Sequence, residues 1–318
     1  MRKFDGRGFW FLSAFLAICA ARAELDPYKL QYDHSDKARD FPREYLMGKL
    51  GLKTEDLAEY RCDGKREFEL LPEYAHPNAA GDSLRIANEK NETFVYRDGQ
   101  LFSNGQAVKR SQSDFVDDTL KTIGEIERLP TGKVLVDRLE HAPYPVTIMK
   151  GQPRFAGADD AGHAFKGISM ESAIMTLIAS NFEESDTIQF THVGAGGPLY
   201  FDRAFQAENV VANGDKWGKI TVTPPHVTLA HEMMHAFDGV RGLLDLRHVD
   251  GEGYEFVQVS EYRGTYMENQ IRKESGLAYR KIYGQWTPRE IKKGKVFRGY
   301  LLDANMQPRL IPSPCLND

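Results

Sequence analysis

The chain has 318 residues, of which 41% are hydrophobic and 27% charged, and a formal net charge of −5. This apolar content suffices for one large domain or two modest ones and excludes a wholly disordered chain. The acidic balance argues against a nucleic-acid partner.

In chain order, Arg2, Lys3 and Arg7 precede an apolar run from Phe9 to Ala20 that ends in Ala21-Arg22-Ala23. This is the layout of a cleaved secretory signal over residues 1–23, too short for the roughly 20 apolar residues that span a bilayer, so no stable membrane anchor is expected. Its removal takes Arg2, Lys3, Arg7 and Arg22 away against Asp5, and the net charge moves from −5 to −8. The expected location is periplasmic or secreted. Cys19 leaves with the signal, and Cys62 and Cys315 remain as an even pair in an oxidising compartment, either bridged or as two buried thiols.

Residues 24–110 form an N-terminal segment, a pro-segment or an accessory domain. It is charged and broken by Pro27, Pro42, Pro72 and Pro77, with a short helix expected around Arg43 to Leu50. Within it, from Thr93 to Val108, β-formers alternate with Asp98-Gly99 and Asn104-Gly105, the pattern of a small antiparallel meander.

A second, larger domain is expected over 111–318. Ser113 is placed to cap a helix through Phe115, Leu120, Ile123 and Ile126, and a second helix follows Pro130 through Val134, Leu135 and Leu139. Val146 to Met149, Thr187 to Phe190 and Ile220 to Thr223 read as strands, with a helix from Ser169 to Ala179 between the first two. Pro224-Pro225 suits a helix's first turn, and Thr223 is the expected cap.

That helix carries His231-Glu232-Met233-Met234-His235. Histidines at i and i+4 project from one side of a helix and can put two imidazole nitrogens on one cation. Glu232, between them in sequence, is placed to act as general base toward a water activated by the metal. Val227, Leu229, Ala230, Met233, Met234, Ala236, Phe237 and Val240 make the helix apolar on nearly every face. Burying two histidines and a glutamate there costs several kcal/mol unless one ligand satisfies all three, and a zinc ion with its water does so.

The third protein ligand is open from spacing alone. The metzincin pattern fails, because Asp238 stands where a Gly and Arg241 where a third His is expected. Glu252, Glu255, Glu261 and Glu268 all lie within reach, Glu255 at the thermolysin-type spacing. In a helix expected from about Phe256 to Lys273, Glu261, Thr265, Glu268 and Arg272 share one face, and Val259, Tyr262 and Tyr266 another. Glu268 and Arg272 form an i,i+4 pair, expected as a helix salt bridge of a few tenths of a kcal/mol. Tyr254, Tyr262, Tyr266, His248 and Arg263 can each be an oxyanion donor, and the sequence does not choose among them.

His231 to Ala236, Glu261 to Thr265, Glu268-Asn269-Gln270-Ile271-Arg272, Gly276-Leu277, Arg280 and Tyr283 together resemble the NleD-like zinc metallopeptidase effectors. The resemblance is loose from Asp114 and close from His231 to Tyr283. It implies zinc ligands His231, His235 and Glu261, Glu232 as catalytic base, one Zn²⁺ per chain, and a structural or substrate-positioning role for Asn269 and Arg272.

The expected fold is α+β, a zincin-like domain with a small sheet, a helix pair ahead of it, the active-site helix and a downstream helix supplying the glutamate. The expected partner is a protein or peptide substrate, a host protein included. Two other readings are a zinc-braced secreted binding or toxin-like module, and a zinc amidase acting on cell-wall material.

Overall fold

The computed structural model of the chain describes residues 57–61, 70–74, 76–109, 111–155, 187–191, 196–212, 218–241, 244, 260–281, 283, 302 and 305–308. The expected signal, the helices expected at 43–50 and 169–179, Cys62 and Cys315 lie outside these residues.

The fold is α+β, built on a mixed sheet of seven strands. Its central strands are β2 (Leu84–Ala87), β6 (Val146–Lys150) and β9 (Gly197–Phe201), which run parallel. The meander β3 (Thr93–Arg97), β4 (Gln100–Ser103) and β5 (Gln106–Val108) extends it on one side, and β7 (Arg154–Phe155) closes the other edge, antiparallel to β9. Two ribbons stand apart: β1 (Leu57–Arg61) with β8 (Thr187–Thr191), and β10 (Glu208–Val211) with β11 (Lys219–Val222). The meander forms as expected because Asp98-Gly99 and Asn104-Gly105 both take positive φ at both positions, the requirement of type I′ hairpin turns.

The sheet is larger than the small one expected. β2 is only four residues long, too short to stand out in the sequence, and β9 starts at Gly197-Pro198, a breaker signal that pairing overrides. Residue 110, expected as a domain boundary, falls between strands of one sheet, since Leu84 pairs in register with Val146. Along the parallel strands Leu84, Ile86, Val146, Ile148, Leu199 and Phe201 are fully buried while Arg85, Thr147, Met149 and Tyr200 are not, so one face is the core face.

Four helices are described. α1 (Asp114–Glu127) begins at Ser113, whose Oγ accepts from Val116 N at 3.2 Å as expected, and buries Phe115, Val116, Ile123 and Ile126 at helical spacing. α2 (Pro130–Glu140) opens on its proline and is capped from outside, by Glu274 accepting from Thr131 N at 3.1 Å and from its hydroxyl at 2.5 Å. α3 (Pro225–Val240) carries the histidine pair and is buried around its circumference against the core cluster. α4 (Ser260–Glu274) lies alongside α3 and supplies Glu261. Among the described residues no helix is long and apolar enough to cross a membrane.

Thr223 does not cap α3. The cap position is Pro224, with no side-chain bond, and the Thr223 hydroxyl instead accepts from Asn209 Nδ2 at 2.5 Å and Arg272 Nη2 at 2.9 Å. With Pro225 at the first helical position, one of the amide donors a cap would serve is missing, and the charged donor on α4 takes the oxygen.

At the far end of the sheet, Glu140 closes α2 beneath the Asp98-Gly99 turn and accepts from Asp98 N at 3.3 Å. Burial, outweighing that hydrogen bond, pushes its carboxyl up to about 7. A raised folded-state value means that the stabilisation of the protonated form is present below the unfolded value of 4.5 and lost as pH rises through 7. Glu140→Gln keeps an acceptor without the charge. Urea titrations should find it close to wild type near pH 4.5 and more stable by about 3 kcal/mol near pH 8.

Candidate metal centre

α3 enters the core from the β10–β11 ribbon and turns His231 and His235 toward α4. His235 Nε2 lies 3.1 Å from His231 Nε2, and Glu261 Oε2 lies 3.0 Å from His231 Nε2 and 3.4 Å from His235 Nε2. A tetrahedral cation with bonds of about 2.0–2.1 Å separates its ligand atoms by about 3.3–3.4 Å, so the three donors stand close to the triangle that such an ion needs. They are the one such group of three among the described residues.

The approach depends on Gly264, one turn beyond Glu261. A Cβ there would meet His231 Cε1 at 2.8 Å, His231 Nε2 at 2.9 Å and His235 Cε1 at 3.0 Å. A glycine in mid-helix costs about 1 kcal/mol relative to alanine, and this one is the gap into which both imidazoles fit. This mid-helix glycine, three residues after Glu261, is visible in the sequence and marks the side of α4 on which the imidazoles fit.

The electrostatics favour added positive charge. Burial alone would lower the His231 pKa, but the Glu261 carboxylate within hydrogen-bond distance and the Glu268 carboxylate facing the ring outweigh it and carry the group up to about 10. Burial works upward on Glu261, yet the neighbouring His235 and His231 hold its carboxyl well below the usual range. Burial pushes Glu232 up, opposed by His231, His235 and a hydrogen bond from the Phe155 amide of edge strand β7. Around the two imidazoles stand three carboxylates, Glu232, Glu261 and Glu268, against two guanidiniums, Arg272 and Arg280. The net charge of these five side chains is negative, so the imidazoles between them favour a proton or a bound cation.

Glu268 is not part of the triangle. It is buried at 1% exposure, with Arg272 Nε at 2.8 Å and Arg280 Nη1 at 2.7 Å. The Glu268–Arg272 pair expected as a solvated helix bridge is therefore an interior one, because the polar face of α4 is turned to α3 and not to water. Arg280 comes from the segment after α4. That helix ends at Gly276, whose φ of +68° lets Leu277 N bond back to Arg272 O at 2.8 Å. The chain then returns along β10, with Ala212 N bonded to Tyr279 O at 2.8 Å and Lys281 N to Val210 O at 2.9 Å. Asn269 fixes the return by accepting from Arg280 N at 2.6 Å and donating to Arg280 O at 3.0 Å, so its role here is structural.

Tyr283 ends this segment over the site. Its ring lies 6.4 Å from that of His231 at 20°, and Arg280 sits 4.6 Å from its centroid. Among the described tyrosines it is the one stacked on an imidazole of the triangle. Tyr262 is packed away in the core, Tyr266 is half-buried on another face, and Arg263 is committed to Asp238 through bonds of 2.7 and 3.0 Å. Tyr254, His248, Glu252 and Glu255 lie outside the described residues. No protein-family model, curated protein or solved structure matches the chain.

Two substitutions separate the geometry from its surroundings. Glu261→Ala should abolish stoichiometric metal uptake in elemental analysis of the purified chain. Gly264→Ala should leave a folded protein whose metal affinity, by calorimetric titration, falls at least tenfold. Wild-type affinity in Gly264→Ala would show that the helices have room the distances do not allow.

Proposed function

We propose that this chain is an exported zinc-dependent peptidase of zincin-like architecture, with His231, His235 and Glu261 holding one Zn²⁺ and Glu232 as general base. The observation that carries the reading is the triangle of two helical histidines and Glu261, at the spacing a tetrahedral ion needs, beside a second carboxylate, Glu232, that is not part of it. The motif resemblance to the NleD-like effectors supports the same ligand set, and the signal-like layout of residues 1–23 supports export.

The donor set fits zinc, since two neutral imidazoles and one carboxylate are a frequent catalytic combination for that ion. A structural zinc is closed by four protein ligands as a rule, whereas three meet here among the described residues. When bound, zinc supplies Lewis acidity and brings a water's pKa to about 7.

The chain's own residues do the rest. Glu232, steadied by the Phe155 amide, takes the proton of the attacking water and returns it to the leaving amine. Tyr283, whose ring is stacked on that of His231, is the side chain assigned to donate to the developing oxyanion. Asp238 and Arg263 lock α3 to α4 so that the ligands keep their spacing.

The decisive experiment uses hydrolysis of a mixed-peptide library with metal content measured on the same samples. Wild type should carry about one zinc per chain and lose activity on chelation, with recovery on zinc addition. Glu232→Gln should keep the metal and lose about 10²–10⁴-fold in rate. A metal-free and inactive wild type would end the reading, and activity confined to wall fragments would move it to an amidase.

A further inference from the structure

One nitrogen of the site is left over. His231 presents Nε2 to Glu261 and His235, so when that nitrogen gives its lone pair to a cation the ring proton must sit on Nδ1. Nδ1 is buried and has no hydrogen-bond partner at ordinary length. The group facing it is Glu268, whose Oε2 stands 3.6 Å away. Roughly half an ångström of movement brings the pair to hydrogen-bond length.

Glu268 is built to stay a carboxylate there. Arg272 donates to Oε1 at 2.8 Å and Arg280 to Oε2 at 2.7 Å, with all three side chains buried. A single arginine would neutralise it, and a brace between α4 and the returning segment would need no oxygen turned toward an imidazole. The same arginine, Arg280, also lies over the ring of Tyr283, which is stacked on that of His231. Glu268, Arg280 and Tyr283 are thus gathered around one imidazole.

We propose that Glu268 is a positioning residue of the metal centre: it accepts the Nδ1–H of His231, fixes the tautomer that offers Nε2, and strengthens that nitrogen as a ligand. Arg272 and Arg280 hold the carboxylate in the orientation this needs. The inference rests on the metal-centre reading above and adds to it a residue outside the ligand set. It explains why a buried glutamate carries two arginines and why the returning segment is fastened to β10. Loss of such an outer partner typically weakens metal binding 10–100-fold.

Two measurements on the full chain test it. In zinc-loaded wild type with ¹⁵N-labelled histidine, His231 should show a slowly exchanging proton on Nδ1. Glu268→Gln, folded by its thermal midpoint as apoprotein, should bind zinc about 10–100-fold more weakly and alter the visible spectrum of the cobalt-substituted site. Wild-type zinc affinity and an unchanged cobalt spectrum in folded Glu268→Gln would overturn the proposal. So would a His231 ring without an Nδ1 proton, which decides the matter even if the variant does not fold. A wild type that takes up no metal brings down the metal-centre reading itself, an outcome distinct from a wild type that binds zinc without this hydrogen bond.

Discussion

The structure depends on how closely two helices meet at Gly264. α3 is apolar almost all round and α4 carries a whole face of polar and charged side chains, yet both are buried. Neither arrangement is tolerable alone, because charged groups removed from water without partners cost several kcal/mol each. The helices solve this by turning their polar side chains on each other, and the absent Cβ at Gly264 sets the separation that puts Glu261 against both imidazoles. The sheet, α1 and α2 then serve to enclose α3 on its remaining faces.

Two buried ionic clusters cross this interface, and they differ in kind. Asp238 and Arg263 form a fork-to-fork pair of one negative and one positive group, which satisfies itself and ties the helices together. The cluster around His231 is not balanced in that way. Its carboxylates outnumber its guanidiniums, one imidazole nitrogen is unpartnered, and the histidine is driven toward its charged form. A neutral pair reads as architecture. An interior excess of negative charge beside two imidazoles reads as a place for a cation.

Geometry over long sequence distances completes the site. Phe155 of the edge strand reaches Glu232, and Arg280 and Tyr283 arrive on a segment bonded to β10. Residues from before and after α3 therefore converge on it, which makes the centre a product of the whole sheet-and-helix packing and not of one helical motif. The expected boundary near residue 110 has no such role, since β2 to β5 are hydrogen-bonded into the same sheet as β6 and β9.

What the sequence by itself determined were the features fixed by neighbouring residues. The Ser113 cap, the proline start of α2, the two hairpin turns and the i,i+4 histidines all depend on contacts within a few positions, so the chain spells them out. The Glu261 face of α4 was legible as a periodicity, though its direction was not. Only the tertiary structure decided that this polar face points inward, because nothing local distinguishes a helix side bathed in water from one sealed against histidines and arginines. It likewise decided the short strand β2, the strand β9, whose Gly197-Pro198 breaker is overruled by pairing, the diversion of Thr223 from capping to Arg272, and the placement of Glu268 opposite His231. Each of these sets residues far apart in the chain at contact distance, and desolvation then makes their charges satisfy one another.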